Sequence, residues 1–259
     1  MAGAMNVTSV RPAVASVAKA AAVLQTFTPL TSTLSVRQLA QRTGIPRSTV
    51  HALCSTLCDA GLLERVTGRG YQLGSTLVTL GGHVIDRTGL VAAAERPLAG
   101  LVLRAGEEVH LAQLVESWVV YLDRRTGTRA VPMRNRVGLR ALAHRTGCGR
   151  AALSMMARDE RHRRIVNGCQ QDRVAPPAGL AELDAELEQA RGGGYIVSGA
   201  FQPGRTSVAA PVLDGSEVPV GGVSIAASSD AVTPARVREI APQVVRLAAD
   251  ISRGLVDAA

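Results

Sequence analysis

The groups with the most chemical potential cluster near the N-terminus. Pro46 is followed by Arg47, Ser48, Thr49 and His51, and Arg65 and Arg69 come soon after. An arginine can pair with a guanine edge through two N–H groups or hold a phosphate. Serine, threonine and histidine reach base edges and phosphates alike. Ser35 and Arg42, slightly upstream, add two more groups suited to phosphate. A polar helical face is most often merely solvated, so placement must decide whether these residues do anything. Catalytic patterns do not accompany them. There is no G-x-S-x-G elbow, no P-loop and no H-E-x-x-H pair. Gly68-Arg69-Gly70 with Gly74 has neither the spacing nor the preceding strand of a dinucleotide loop. His51, Cys54 and Cys58 fall on one helix, but no second Cys/His pair follows at zinc-site spacing. The two thiols read as small hydrophobes beside an apolar stripe. No metal and no cofactor is expected.

Positioning these side chains requires a small three-helix unit. Val17, Ala20, Ala21, Leu24 and Phe27 recur at helical spacing over Ser16–Phe27. A second helix starts at Ser35, which forms a capping box with Gln38, and runs to about Thr43. Gly44-Ile45 turns the chain. Pro46 opens a third helix, where its missing N–H costs nothing, and Gly61 closes it. Val50, Leu53 and Leu57 mark that helix's buried side. Leu62–Val66 and Gly70–Leu73 then alternate as a hairpin around Thr67-Gly68. Three helices and a hairpin make a winged helix-turn-helix, whose second motif helix presents Arg47, Ser48, Thr49 and His51 to a major groove. Arg65 and Arg69 ride on the hairpin, the wing.

Charge agrees with that placement. The 259 residues carry a net +8, and residues 1–74 hold seven basic groups against two acidic ones, a net +5. Less than a third of the chain thus carries most of the excess, as a polyanionic partner requires. Aromatics make up only 2% of the chain, which argues against stacking platforms for single strands. The four cysteines are too scattered for a disulfide framework. No leader pattern and no run of roughly 18 apolar residues is present, so the expected location is the cytoplasm, with no membrane partner.

The rest of the chain follows another pattern. Ser75–Thr88 reads as a connecting helix with Leu77, Leu80, Val84 and Ile85 along one side, and Ala92–Ala105 as a further helix. Val109–Val115 and Trp118–Asp123 alternate like an antiparallel pair, and Arg124–Arg136 reads as a polar loop. Helices are expected over Thr146–Ala157, Arg158–Gly168 and Leu180–Arg191, then strands over Tyr195–Phe201, Thr206–Val212 and Val218–Ala227. Thr233–Gly254 closes the chain as a helix with a break near Pro242. Strands flanked by helices without strict alternation give an α+β domain on one antiparallel sheet. The expected divisions are a tail over 1–14, the winged unit over 15–74, a linker helix over 75–91 and a second domain over 92–259.

The stretch SVRQLAQRTGIPRSTVHALCSTLCDAGLLERVTGRGY, Ser35 to Tyr71, resembles the DNA-binding domain of IclR-type transcriptional regulators. ALAHRTGCGRAALS, Ala141 to Ser154, is similar to that family's His-x-Thr-x-x-Gly-Lys segment, with Arg150 in place of lysine. GGYIVSGAFQPGRTSVAAPVLD, Gly193 to Asp214, resembles its second effector-domain segment. The resemblance implies a GAF-like C-terminal domain that holds a small organic-acid or aromatic effector. It places backbone amides near Gly147 and Cys148 against the ligand's anionic end, and such amides at a helix start attract negative charge. Ser198 and Ser207 stand where the family often carries an acidic residue and a cysteine. His144 is a further candidate, although a lone histidine beside apolar positions is usually structural. Ala52 replaces a frequent basic residue.

The expected function is a repressor-type regulator binding a double-stranded operator as a homodimer or a dimer of dimers, under control of a small effector. Two alternatives stay open: a ligand-gated protein–protein adaptor, and an enzyme with an attached DNA-binding module.

Overall fold

In the computed structural model the described residues are 14–28, 31–128 and 137–257. Apart from Val14, the expected tail lies outside them, as does residues 129–136 of the expected polar loop. The chain divides into two units, one ending at Val84 and the other beginning at Ile85.

In the first unit, helices α1 (Ala15–Leu24), α2 (Val36–Thr43) and α3 (Arg47–Asp59) precede strands β1 (Leu63–Val66) and β2 (Gly70–Leu73). The capping box is formed. The Ser35 hydroxyl accepts from the Gln38 amide, and the Gln38 side chain accepts from the Ser35 amide. Gly44 ends α2 in the left-handed conformation. Val23, Leu34, Leu39, Val50, Cys54, Leu57, Leu63 and Tyr71 fill the core. On α3 it is Cys54, rather than Leu53, that is fully buried, and Leu53 packs at the edge. Burial pushes the Cys54 thiol up to about 11, so it stays a protonated apolar group.

The wing is anchored by a third strand segment. Leu34 and Tyr71 exchange two backbone hydrogen bonds of 2.9 Å. Gly70, at φ +124°, makes this approach possible. A Cβ there would stand 2.3 Å from the Leu34 carbonyl oxygen.

Helix α4 (Thr76–Arg87) follows, with no buried residue along it. In the second unit α5 spans Leu90–Ala99, ending well before the expected Ala105. Pro97 withdraws one N–H from its last turn, and Gly100 caps it. The sheet then runs β3 (Glu108–Val115), β4 (Trp118–Thr126) and β5 (Arg140–Leu142). A short 3-10 turn leads to α6 (Gly147–Ser154), α7 (Arg158–Gln171) and α8 (Leu180–Gly193). Strands β6 (Ile196–Ser198), β7 (Arg205–Leu213) and β8 (Pro219–Ser228) and helix α9 (Pro234–Asp257) complete it. Helix α9 runs unbroken through Pro242, which sits on its exposed side, where the carbonyl it cannot satisfy meets water. Gly194, in the left-handed conformation, ends α8.

The strand order is β5-β4-β3-β8-β7-β6, antiparallel throughout. Side chains alternate between two covered faces. Val109, Leu111, Val208, Ala210, Val223 and Ile225 face α5 and α9. The opposite parity, Glu108, His110, Ala112, Ser207, Ala209, Ser224 and Ala226, belongs to the face on which α6 packs. Gly222 of β8 lets α6 come close, because a Cβ there would meet the Cys148 carbonyl oxygen at 2.5 Å.

Candidate functional site

Two places gather polar groups that the fold itself does not consume. The first lies between α3 and the wing. Pro46 precedes α3, and Arg47, Ser48 and His51 are exposed on its first turns, with Thr49 half-buried. His51 shares one concave surface with Arg65, Thr67 and Arg69 of the wing. Arg65 is held over the Tyr71 ring at 5.7 Å, with a long 3.4 Å contact to the phenol oxygen. Two arginines and a histidine therefore border the same hollow. This geometry suits a phosphate-lined duplex, with α3 against base edges and the wing against the backbone.

Two residues expected beside them also make contacts within the first unit. The Ser35 hydroxyl is engaged with Gln38 in the α2 cap. Arg42 donates to Thr31 Oγ1 at 3.1 Å and toward the Thr26 carbonyl at 3.5 Å, tying the α1–α2 connection to α2. Thr67, at the wing tip, was not singled out from sequence, because turn threonines carry no distinguishing signal.

The second place is a small cavity in the second unit, with about 20 Å³ of free space. It is bounded by the α6 start at Gly147 and by Ser198, Ser207 and Ser224 on adjoining strands. Tyr121 and Phe201 form an aromatic side, with ring centres 6.2 Å apart, and His110 meets Tyr121 edge-on at 5.8 Å. Phe201, Gln202 and Thr206 enter from the β6–β7 connection and the start of β7. Thr146 caps α6 by accepting from the Gly149 amide at 3.0 Å, which sets the helix start facing Ser207. Of the residues expected here, Gly147, Ser198 and Ser207 line the cavity. Cys148 lies behind its wall, fully buried, with its thiol 3.3 Å from Ser224 Oγ. Burial raises that thiol to about 11, so it is protonated at neutral pH. His144 stands outside the lining, and its carbonyl accepts from Arg150 Nε at 2.7 Å. Burial, with Arg145 and Arg150 nearby, lowers its imidazole to about 4.

Sequence reasoning missed a charged group in this wall. Arg205 and His110 line the cavity, and Glu108 lies beside them. Glu108 is fully buried, 3.0 Å from Arg124 Nε, 3.4 Å from His110 Nε2 and 3.7 Å from Arg205 Nη2. Burial opposes ionisation of Glu108, but His110 and Arg124 together outweigh it and hold the carboxyl below its usual range. Burial depresses His110, which Glu108 only partly offsets. The Ser207 hydroxyl donates to the Ser198 carbonyl at 3.2 Å, and neither ring nitrogen of His110 hydrogen-bonds a serine. No serine here is set up as a nucleophile.

Residues 16–67 match the family model described as the IclR helix-turn-helix domain, and residues 82–253 match that of the bacterial transcriptional regulator IclR C-terminal. The chain belongs to the IclR family. It is an IclR-type DNA-binding transcriptional regulator, not an enzyme. Among relatives, the HTH-type transcriptional regulator KipR of Bacillus subtilis is 27% identical over 244 residues, covering 92% of this chain and 96% of KipR. The transcriptional repressor IclR of Escherichia coli is 24% identical over 92% of this chain and 89% of its own length. An IclR homologue from Microbacterium hydrocarbonoxydans, solved in complex with 4-hydroxybenzoate, superposes with a TM-score of 0.76. At 21% identity it covers 94% of this chain and all of its own, and it shows the shared fold. No helix among the described residues is long and apolar enough to cross a membrane.

Proposed function

We propose that this IclR-type regulator represses its target genes by placing α3 in the major groove of an operator, and that a small organic-acid or aromatic effector in the second unit's cavity releases it. Arg47, Ser48, Thr49 and His51 read or position the groove, and Arg65 and Arg69 grip the backbone beside it. The observation that carries this reading is the hollow shared by His51 of α3 with Arg65 and Arg69 of the wing. Isolated solvation of a polar helix would not bring a histidine of α3 and two wing arginines onto one surface. Repression is supported by the E. coli relative's name. Effector control is supported by the 4-hydroxybenzoate complex of the Microbacterium homologue.

Operator reading at two half-sites requires two copies. Helix α4 offers the material for pairing: Leu80 and Val84, one turn apart on the same side, are both exposed. The homodimer, or a dimer of dimers built from it, buries that apolar side. An effector acts by favouring one spacing of the paired recognition helices over another.

The experiment is selection of genomic fragments by the purified protein, followed by gel-shift titration of a recovered fragment and sedimentation of the complex. The reading expects a two-fold symmetric protected site bound by two or four chains. Failure to enrich any duplex, or binding by a lone chain, would overturn it.

A further inference from the structure

Among the described residues three arginines of the second unit are buried, and two are held by close carboxylates. Arg161 Nη2 lies 3.0 Å from both Asp184 and Glu188, although its Nε and Nη1 have no hydrogen-bond partner. Arg236 lies 2.6 Å from Glu107 and from Glu239. Arg205 differs. It is 6% exposed, lines the cavity, and none of its three guanidinium nitrogens makes a hydrogen bond. Among the described residues the carboxylate near it is Glu108, 3.7 Å away and already engaged by Arg124 at 3.0 Å. With His110 neutral, the group of Arg124, Arg205 and Glu108 carries one uncompensated positive charge. A buried charge without a partner is costly, and a fold retains one where something else completes the pair.

The sheet register says where the missing anion belongs. Arg205 and Ser207 are alternate residues of β7, so they share a face, and Ser207 pairs with Ser198 on one side and Ala226 on the other. A Cβ on Gly147 would lie 2.4 Å from Ser207 Oγ, so the α6 start closes the same space. The amides at that helix start favour an anion further. Hydroxyls of Ser198, Ser207 and Ser224 and the rings of Tyr121 and Phe201 surround the remainder.

We propose that the occupant of this cavity is a small carboxylate whose anionic group docks on the Arg205 guanidinium, so that Arg205 sets the ligand class of this regulator. The inference rests on the effector reading above and narrows it, choosing an acid over a neutral aromatic. The planar guanidinium fork can hold both carboxylate oxygens at once, which an ammonium cannot. The serine hydroxyls and the aromatic side then sort among acids by shape.

The test is thermal melting of the full-length protein in sodium formate, acetate or benzoate against sodium chloride at equal ionic strength. Acetamide and benzamide serve as neutral counterparts. The wild type is compared with Arg205→Gln and Arg205→Lys. Formate is the smallest carboxylate and needs only the anchor. Saturating acid should raise the melting temperature by about 3 °C. The matching amides should bind about tenfold weaker or less, and Arg205→Gln should lose the acid shift. Arg205→Lys should keep a reduced one. Should Arg205→Gln fail to fold, the acid–amide comparison on the wild type still decides. Equal stabilisation by acids and amides, or by acids with and without Arg205, would overturn the anchor while leaving a ligand cavity in place. No stabilisation by any acid or amide would overturn both the anchor and the effector reading.

Discussion

Arg205 Nη2 stands 3.7 Å from Glu108 Oε1, across β8 from one strand to another, and the two do not hydrogen-bond. The carboxylate instead serves Arg124 at 3.0 Å. The two members of this ion pair therefore have unequal roles. Removing Glu108 strips two guanidinium groups of their shared anion, whereas removing Arg205 leaves Glu108 paired. Glu108→Gln is expected to destabilise the protein by about 3–5 kcal/mol. Arg205→Met is expected to cost less than about 1 kcal/mol without ligand, since it deletes an unpaired buried charge. Urea unfolding measures both. Equal losses would show that Arg205 is structural.

The wing depends on Gly70. An alanine there needs φ +124°, and its Cβ would press on the Leu34 carbonyl and the Ser35 backbone. Gly70→Ala should break the Leu34–Tyr71 pairing, cost about 2–4 kcal/mol in unfolding and weaken duplex binding more than it weakens the fold. Amide exchange at Leu34 and Tyr71, with gel-shift titration, checks this. Retained protection at both amides would contradict it.

Acid should act on the second unit in two stages. His144 binds a proton near 6.5 when unfolded but only near 4 when folded. The unfolded state therefore holds more protons between those values, and stability falls as pH drops from about 6.5 to 4. The loss attributable to His144 is about 3 kcal/mol at most. The Glu108 carboxyl is shifted down, so its contribution is complete above the ordinary carboxylate range and disappears below it as pH falls through the lowered value. His110, also depressed by burial, adds to the same window, so His144→Gln should shrink the first stage without abolishing it and leave the second. Melting temperatures across pH 4–7 measure it, and an unchanged slope would refute the assignment.

Much of this architecture is legible because local signals agreed with each other. The Ser35–Gln38 box, the Gly44 turn and Pro46 all marked boundaries within a residue or two of those formed. The short strand β5 and the early end of α5 were not foreseen. The first is held by pairing with β4, and the second follows from Pro97 and Gly100. The cavity was half legible. Gly147, Ser198 and Ser207 came from a family resemblance, while Arg205, Glu108 and His110 escaped. Their polar parity in β3 and β7 imitates a solvated sheet face. Only the packing of α6 over that face makes them interior, and helix-over-sheet contacts leave no trace in strand alternation. Arg42 and Ser35 also make contacts within the first unit that their phosphate-suited chemistry did not suggest.

Regulation by this protein requires that α3 and the wing hold a duplex. The affinity of a recovered operator fragment, measured from low to moderate salt for the wild type and for Arg47→Ala, tests this. Affinity should fall steeply with salt for both proteins. Arg47→Ala should lose about 1–3 kcal/mol on the operator, with little change on unrelated duplex. Salt-independent binding, or equal operator affinity with and without the Arg47 side chain, would contradict it.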